Sequence, residues 1–490
     1  MMISRNFAIA AAVLAVVVLV TGIVAQSSDD FSLWWHIIAG GGGHSSSADY
    51  ALDGSIGQPA AGALSSAGYQ LSAGFWPGIG APAGPPTLVV TTTDDTDDGT
   101  CDAAHCSLRE ALAAAGNPGP DTIIFNIPTT DPGYDAATGV WTIQPASGYD
   151  VPPDTTVDGL IGTALASVGI APRPGIEIDG TTLAQLGIVG LWLGDNVTLR
   201  GLVVNHFQYG IWVEGTNVTV EGCYVGTDAT GTSAKPNGID GILVIRATGV
   251  VIQDNLLSGN TWNGIRLSDD INAGNTVRNN RIGVTVDGTA ALPNGGDGIR
   301  LHAEAHDNTI GPDNLIAFNN SDGVEVDGAG TRGNTISSNQ VRSNTGKGIR
   351  LANGGNDGLA APAIISASAT QVSGTACPNC VIELFSDAED EGAVYEGSTT
   401  ADGAGNWTFN KPGGLAGPNV TATATDGAGN TSAFSAPVSL VPATPTATGT
   451  PTVTGTPLPT VTPTATATVS PSATPKPDHY LYLPLVRRSK

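Results

Sequence analysis

Gly264-Ile265-Arg266-Leu267 is one of six copies of a phrase that decides how this chain folds. The others are Gly210-Ile211-Trp212-Val213, Gly241-Ile242-Leu243-Val244, Gly298-Ile299-Arg300-Leu301, Gly323-Val324-Glu325-Val326 and Gly348-Ile349-Arg350-Leu351. A second phrase ending in asparagine precedes them, as in Val251 to Asn255, Thr276 to Asn280 and Thr335 to Asn339. Nine positions separate Asn255 from Gly264, Asn314 from Gly323 and Asn339 from Gly348. Eighteen separate Cys223 from Gly241 and Asn280 from Gly298, so two coils carry an extra nine residues at one place. Aliphatic residues two apart on a strand point to one face. Coils stacked about 4.8 Å apart would bury them as a continuous column. Asn255, Asn280, Asn314 and Asn339 would stack at one corner, where asparagine tolerates left-handed backbone and bonds to its copies. A leucine-rich horseshoe is the competing solenoid, but its leucine pattern and helices are absent. The column ends near Gly358.

Upstream, Ser107 is placed to cap a short helix with Glu110 in its first turn and Leu108, Ala111, Leu112 and Ala115 on its apolar face. Such a helix would cover the open end of the column, which otherwise presents unpaired strand edges. The string Cys106-Ser107-Leu108-Arg109-Glu110-Ala111, with Asn117 and Asp121 to Phe125 beyond it, resembles the signature of the CSLREA family. The resemblance covers residues 87–127 and extends loosely through the repeats. It implies an exported protein with a right-handed parallel β-helix. The expected fold is therefore mainly β: a capped β-helix over 87–360 and, from alternating runs between turns at Asp402 and Asp426, an Ig-like β-sandwich over 361–441. The Asn-Thr-Asp, Gly-His-Gly and Arg-Ile-Lys signatures of polygalacturonase-like β-helix enzymes do not occur.

Acidic residues outnumber basic ones 44 to 19, for a net charge of −25. That balance repels nucleic-acid phosphates and anionic membrane surfaces. Glycine is abundant, at 66 residues, but has no period of three, which excludes collagen. A hydrophobic content of 40% argues against wholesale disorder. Arg5, the apolar run Phe7 to Val20 and Ile23-Val24-Ala25 read as a signal peptide over 1–25, with an uncleaved anchor as the other reading. No other stretch is long and apolar enough to span a bilayer. The expectation is a secreted monomer retained at the cell surface. Residues 31–78, from Trp34-Trp35 to the Gly78–Pro86 linker, read as a small β module. Residues 442–477 form a Thr/Pro-rich spacer, and 478–490 a tail that is either a sorting or retention tag or a spare strand. Five cysteines fit an oxidising compartment. Cys101 and Cys106 can pair, as can Cys377 and Cys380, leaving Cys223 as a small buried hydrophobe.

Between the inward aliphatic pairs runs an outward stripe: Trp212, Leu243, Arg266, Arg300, Glu325 and Arg350. Indoles can stack on sugars, and arginine forks bind carboxylate or sulfate. The plain alternative is that Arg300, Glu325 and Arg350 pair with one another, which leaves Arg266 beside Arg300 unexplained. The residue before each repeat glycine gives a second row, Asp240, Asn263, Asp297, Asp322 and Lys347. Asp297 and Asp322, in adjacent coils, are the candidate acid–base pair for sugar chemistry or calcium ligands; otherwise they make tight corners. His302, Glu304 and His306 would hold a metal if the strand continued straight, and form a polar turn if it bends. Asp402 and Asp426 are either calcium ligands or turn residues. The expected function is binding of extracellular polysaccharide or cell-surface glycan, or adhesion. The alternative is a polysaccharide lyase or glycoside hydrolase, with calcium as the one cofactor these carboxylates suit.

Overall fold

The computed structural model describes residues 87–116, 120–161, 173–183 and 187–440, and four strands nearer the N-terminus as backbone. The signal segment, Trp34-Trp35, the Gly78–Pro86 linker, the spacer and the tail lie outside the described residues. Within 31–78 the four strands form two antiparallel hairpins, Gly41–Ser47 with Tyr50–Ile56 and Gly62–Ser66 with Tyr69–Ala73. No helix among the described residues is long and apolar enough to cross a membrane.

Residues 87–352 wind as a right-handed parallel β-helix with three sheets. The first sheet has nine strands, from Thr87–Val90 to Thr335–Ile336. The second also has nine, from Tyr134–Asp135 to Gln340–Arg342, and the third eight, from Tyr149–Val151 to Ile349–Ala352. Coil-to-coil pairing in the three sheets is parallel, except that Tyr134–Asp135 runs antiparallel to its neighbour, and a separate antiparallel pair joins Leu160–Ile161 to Arg173–Pro174. Inward aliphatics align in register, such as Leu199, Val220, Ile252, Val277 and Ile310 in the first sheet, all essentially buried. Stacking like on like fills the column without a second layer of structure.

The corners are built from asparagine. Asn255, Asn280, Asn314 and Asn339 each pass an amide hydrogen bond to the next, at 3.0, 3.0 and 2.8 Å. Cys223 takes the ladder position before Asn255, and its backbone N–H donates to the Asn255 side-chain Oδ1. Cys223 is fully buried, and burial pushes its thiol up to about 12. Two further ladders exist, which sequence reading missed. Asn237, Asn260, Asn294, Asn319 and Asn344 climb the corner between second and third sheets. Asn275, Asn308 and Asn334 climb the corner between third and first.

The extra nine residues in two coils form small stacked hairpins, closed by the bridges Thr227–Ala234 and Val284–Ala291. They lie over the outer face of the second sheet. At Gly231 (φ +67°) a side chain would strike Leu256 and Val286, and Gly288 (φ +75°) is crowded by Leu315 in the same way. Only glycine meets both demands.

Both ends of the column are closed. At the start, the helix Leu108–Ala114 buries Leu108, Ala111 and Leu112. Ser107 and Glu110 form a reciprocal capping box. Arg109 holds Asp95 at 2.7 Å and lies over the Tyr149 ring. Cys101–Cys106 and Cys377–Cys380 are disulfides. At the far end, antiparallel sheets of three and four strands, between Ala363 and Ser439, pack on Val372, Leu384, Trp407, Val420 and Ala422. This sandwich meets the last coil through backbone bonds between Val341 and Gly392, and through Glu383, Asn430 and Thr431. Asp402 and Asp426 accept backbone N–H groups two and four residues ahead, so both carboxylates make turns.

Candidate functional site

The third sheet carries its outer residues in one line because every strand pairs in register with the next. Trp212 sits over Leu243, then Arg266, Arg300, Glu325 and Arg350. The line extends one coil further to Trp192, in Gly190-Leu191-Trp192-Leu193, a variant of the repeat phrase. Trp192 and Trp212 stack, with ring centres 5.1 Å apart, and Tyr209 meets Trp212 edge-on. Trp212 therefore spends much of its surface on neighbours, while Trp192 remains 39% exposed. Trp262, in the turn before Arg266, is 57% exposed at the rim.

Asp240, Asn263, Asp297 and Asp322 are buried and form a ladder of their own. Asp297 accepts the Asp322 backbone N–H at 3.0 Å, and Asp322 accepts that of Lys347 at 2.6 Å. One carboxylate oxygen of each is thus committed to the corner, and the other turns toward an arginine. Asp240 meets Arg266 at 2.8 Å, Asp297 meets Arg300 at 3.5 Å, and Asp322 meets Arg350 at 3.3 Å. Glu325 bridges Arg300 at 2.7 Å and Arg350 at 3.4 Å, and Asp327 adds a bond to Arg300 at 2.9 Å.

This resolves the juxtaposition of Arg266 and Arg300. Arg266 turns back to Asp240 and lies over the Tyr209 ring, 5.7 Å from its centre, whereas Arg300 turns forward to Glu325 and Asp327. Arg266 Nε and Trp212 Nε1 are buried donors with no hydrogen-bond partner among the described residues.

Burial governs the protonation of the face. It pushes Glu325 up to about 7, with the nearby Asp297 carboxylate acting in the same direction. Asp240 is raised by burial, against the pull of Arg266. His302 is lowered by burial and by Arg266 and Arg300. Asp297, Asp322 and Glu325 offer oxygens within 4.8 Å of one another. A cation there would compete with Arg300 and Arg350 and with two backbone donors.

The structure does not gather His302, Glu304 and His306 into one ligand set. Ala303 and Glu304 both adopt left-handed backbone, so the strand turns away after His302. His306 instead bonds Asp307 and the Asp270 carbonyl. A second convergent set, Asp98, His105 and Glu110, lies at the N-terminal cap. Its carboxylates hold backbone N–H groups and the His105 ring. Sequence reading missed Trp192, Tyr209, Trp262 and Asp327. Trp192 carried a signal in the degenerate phrase around it, Tyr209 in its place directly before Gly210, and Asp327 in its place directly after Val326; Trp262 carried none.

Residues 187–360 match the family model described as a right-handed β-helix region. Among curated protein sequences none matches the chain. Solved structures similar to it include a mutant of the periplasmic alginate epimerase AlgG, at 16% identity and TM-score 0.28, covering 47% of this chain and 55% of that one. The Dettilon tailspike protein is similar at 13% identity and TM-score 0.28, covering 68% of this chain and 81% of its own. A tailspike of E. coli bacteriophage HK620, in complex with a pentasaccharide, is similar at 11% identity and TM-score 0.20, with 62% and 63% covered. The chain thus spans about half the length of the epimerase.

Proposed function

We propose that this is an exported, surface-held protein whose third-sheet face binds an extracellular polysaccharide laid along the coil axis. The observation that carries the reading is the unbroken register from Trp192 to Arg350, which offers aromatic rings at one end and guanidinium forks at the other. Six coil steps give the line a length of about 29 Å, the scale of a short oligosaccharide. The arginines are preorganised by buried carboxylates, so little side-chain entropy is lost when a sugar docks.

Charge selects the ligand. Around Arg266, Arg300 and Arg350 lie Asp240, Asp297, Asp322, Glu325 and Asp327, so carboxyls outnumber guanidiniums on this face. A polyanion finds no net attraction there, and a neutral, hydroxyl-rich chain is the better fit. The test is affinity electrophoresis of the full chain in gels holding neutral or acidic polysaccharides. Retardation by a neutral polymer is expected, and Trp192→Ala should weaken it by about tenfold, the loss typical of an aromatic anchor. Undiminished retardation of Trp192→Ala and of the Arg266→Ala/Arg300→Ala pair would remove this face from consideration.

Catalysis is the second reading, favoured by one observation. A carboxyl titrating near 7 lies beside two others, the arrangement used to share acid and base roles in glycoside cleavage. New reducing ends from any polymer, abolished in Glu325→Gln, would establish it. Against it, all three carboxyls are buried beneath Arg300 and Arg350.

A further inference from the structure

A groove of about 440 Å³ opens on a different side of the solenoid, at the corner between first and second sheets. That volume lies in the range of small-ligand sites. Arg200 and Glu221 come from first-sheet strands, Tyr224 and Arg281 from second-sheet strands, and Asp254 from the corner itself. Val286, from the second inserted hairpin, forms one wall.

Arg200 is held by Glu221 at 2.7 Å and Asp158 at 3.5 Å, with its Nε a buried donor lacking a hydrogen-bond partner. Arg281 differs. It is exposed, and no ion pair or hydrogen bond engages its guanidinium among the described residues. The groove therefore combines one uncommitted cation with two carboxylates that keep lone pairs for further donors: Glu221, which already accepts from Arg200 and from Gln253, and Asp254, which accepts from Asn279. A bare inorganic anion would meet both carboxylates as well as the arginine. Hydroxyl groups, by contrast, donate to carboxylates, while an anionic substituent pairs with a guanidinium fork.

We propose that this groove binds a sugar residue bearing an anionic group, with that group on Arg281 and the ring hydroxyls on Glu221 and Asp254. The site is separate from the third-sheet face; carboxylates outnumber guanidiniums here too, so the anionic group is recognised by the unpaired fork of Arg281 and not by net charge. Whether the anion is a carboxylate or a sulfate is decided by the ligand that binds.

Calorimetry on the full chain tests it with trigalacturonate, a sulfated galactose disaccharide, neutral galactobiose and inorganic sulfate as titrants. One of the two anionic saccharides should bind with one-to-one stoichiometry. Arg281→Ala should weaken it at least tenfold, and Arg332→Ala, at an exposed arginine away from the groove, should leave it unchanged. Arg281 engages no other described side chain, so its variant should keep the native circular dichroism spectrum. Binding of neither anionic saccharide, equal binding by folded Arg281→Ala, loss in Arg332→Ala, or equal affinity for inorganic sulfate or galactobiose would each overturn the proposal. Retention in neutral-polysaccharide gels reports on the third-sheet face separately, so the two readings fail independently.

Discussion

Glu325 contacts two arginines and still holds its proton up to about 7. Removal from water disfavours its charged form, and Asp297 close by does the same; together they outweigh the guanidiniums. The consequence for stability has a definite sign. A carboxyl whose folded pKa exceeds its ordinary value of 4.5 favours the folded state while protonated. That contribution is present below 4.5 and is lost as pH rises toward about 7. Glu391, also pushed up to about 7 by burial where the sandwich meets the last coils, acts in the same direction. His105 does too. Burial works against its charge, but Asp94, Asp98 and Glu110 together raise it, so its contribution is present below 6.5 and is lost as pH rises through the higher folded value. His302 is lowered, so its contribution is present above 6.5 and lost as pH falls through the folded value. Denaturant unfolding at pH 5 and pH 7.5 should therefore show wild type losing more stability across that interval than Glu325→Gln. Equal losses in the two proteins would show that Glu325 titrates normally.

At the scale of the coil, the asparagine ladders do what a hydrophobic column cannot. Each sharp corner exposes backbone groups that the sheets leave unpaired, and a stacked side-chain amide satisfies them in three directions. Asn280 donates to the Ile252 carbonyl and to Asn314, and accepts from both the backbone and the side chain of Asn255. Asn280→Ala leaves several of these buried groups unpaired, and should cost about 3 kcal/mol in guanidinium unfolding. A loss under about 1 kcal/mol would mean that water or backbone movement replaces the bonds. The ladder at Asn255 was legible in the sequence because its asparagines follow a fixed aliphatic phrase. The ladder at Asn260 was legible too, since Asn237, Asn260, Asn294, Asn319 and Asn344 each stand four residues before a repeat glycine; the ladder at Asn275 was not, because turns of unequal length separate it from that glycine. The same contrast runs through the candidate site. Strand alternation fixed the outward stripe in advance, Trp212 to Arg350 included. The direction each arginine takes was hidden, because periodicity places Asp240 and Asp327 along the face but does not say which carboxylate an arginine reaches across coils.

On the scale of the whole chain, a parallel solenoid has two open ends, and each exposes strand edges and apolar side chains that invite association. The cap at the first end was readable from Ser107 to Leu112, since a helix start has a local signature. The cap at the second end was not, because it is made by contacts far apart in sequence. The antiparallel sandwich reads from its own alternation as a separate domain, yet Glu383 accepts the Ser338 backbone N–H, Thr431 accepts that of Ile336, and Phe434 packs against Gly348 and the column. The sandwich is thus the lid of the β-helix as well as a module in its own right. Phe434 meets Gly348, Gly392 and Phe385, so no smaller side chain fills its place. Phe434→Ala should destabilise the chain by about 3 kcal/mol, the lower end for a buried aromatic, because part of the ring remains at the surface. If the sandwich closes the column, the variant should unfold with the solenoid and sandwich still in one transition, but earlier, and should bind a hydrophobic dye at its loosened end. If the two parts were independent, only the sandwich would melt early and the solenoid midpoint would not move. Differential scanning calorimetry separates these outcomes, since one shifted peak and a split peak cannot be confused.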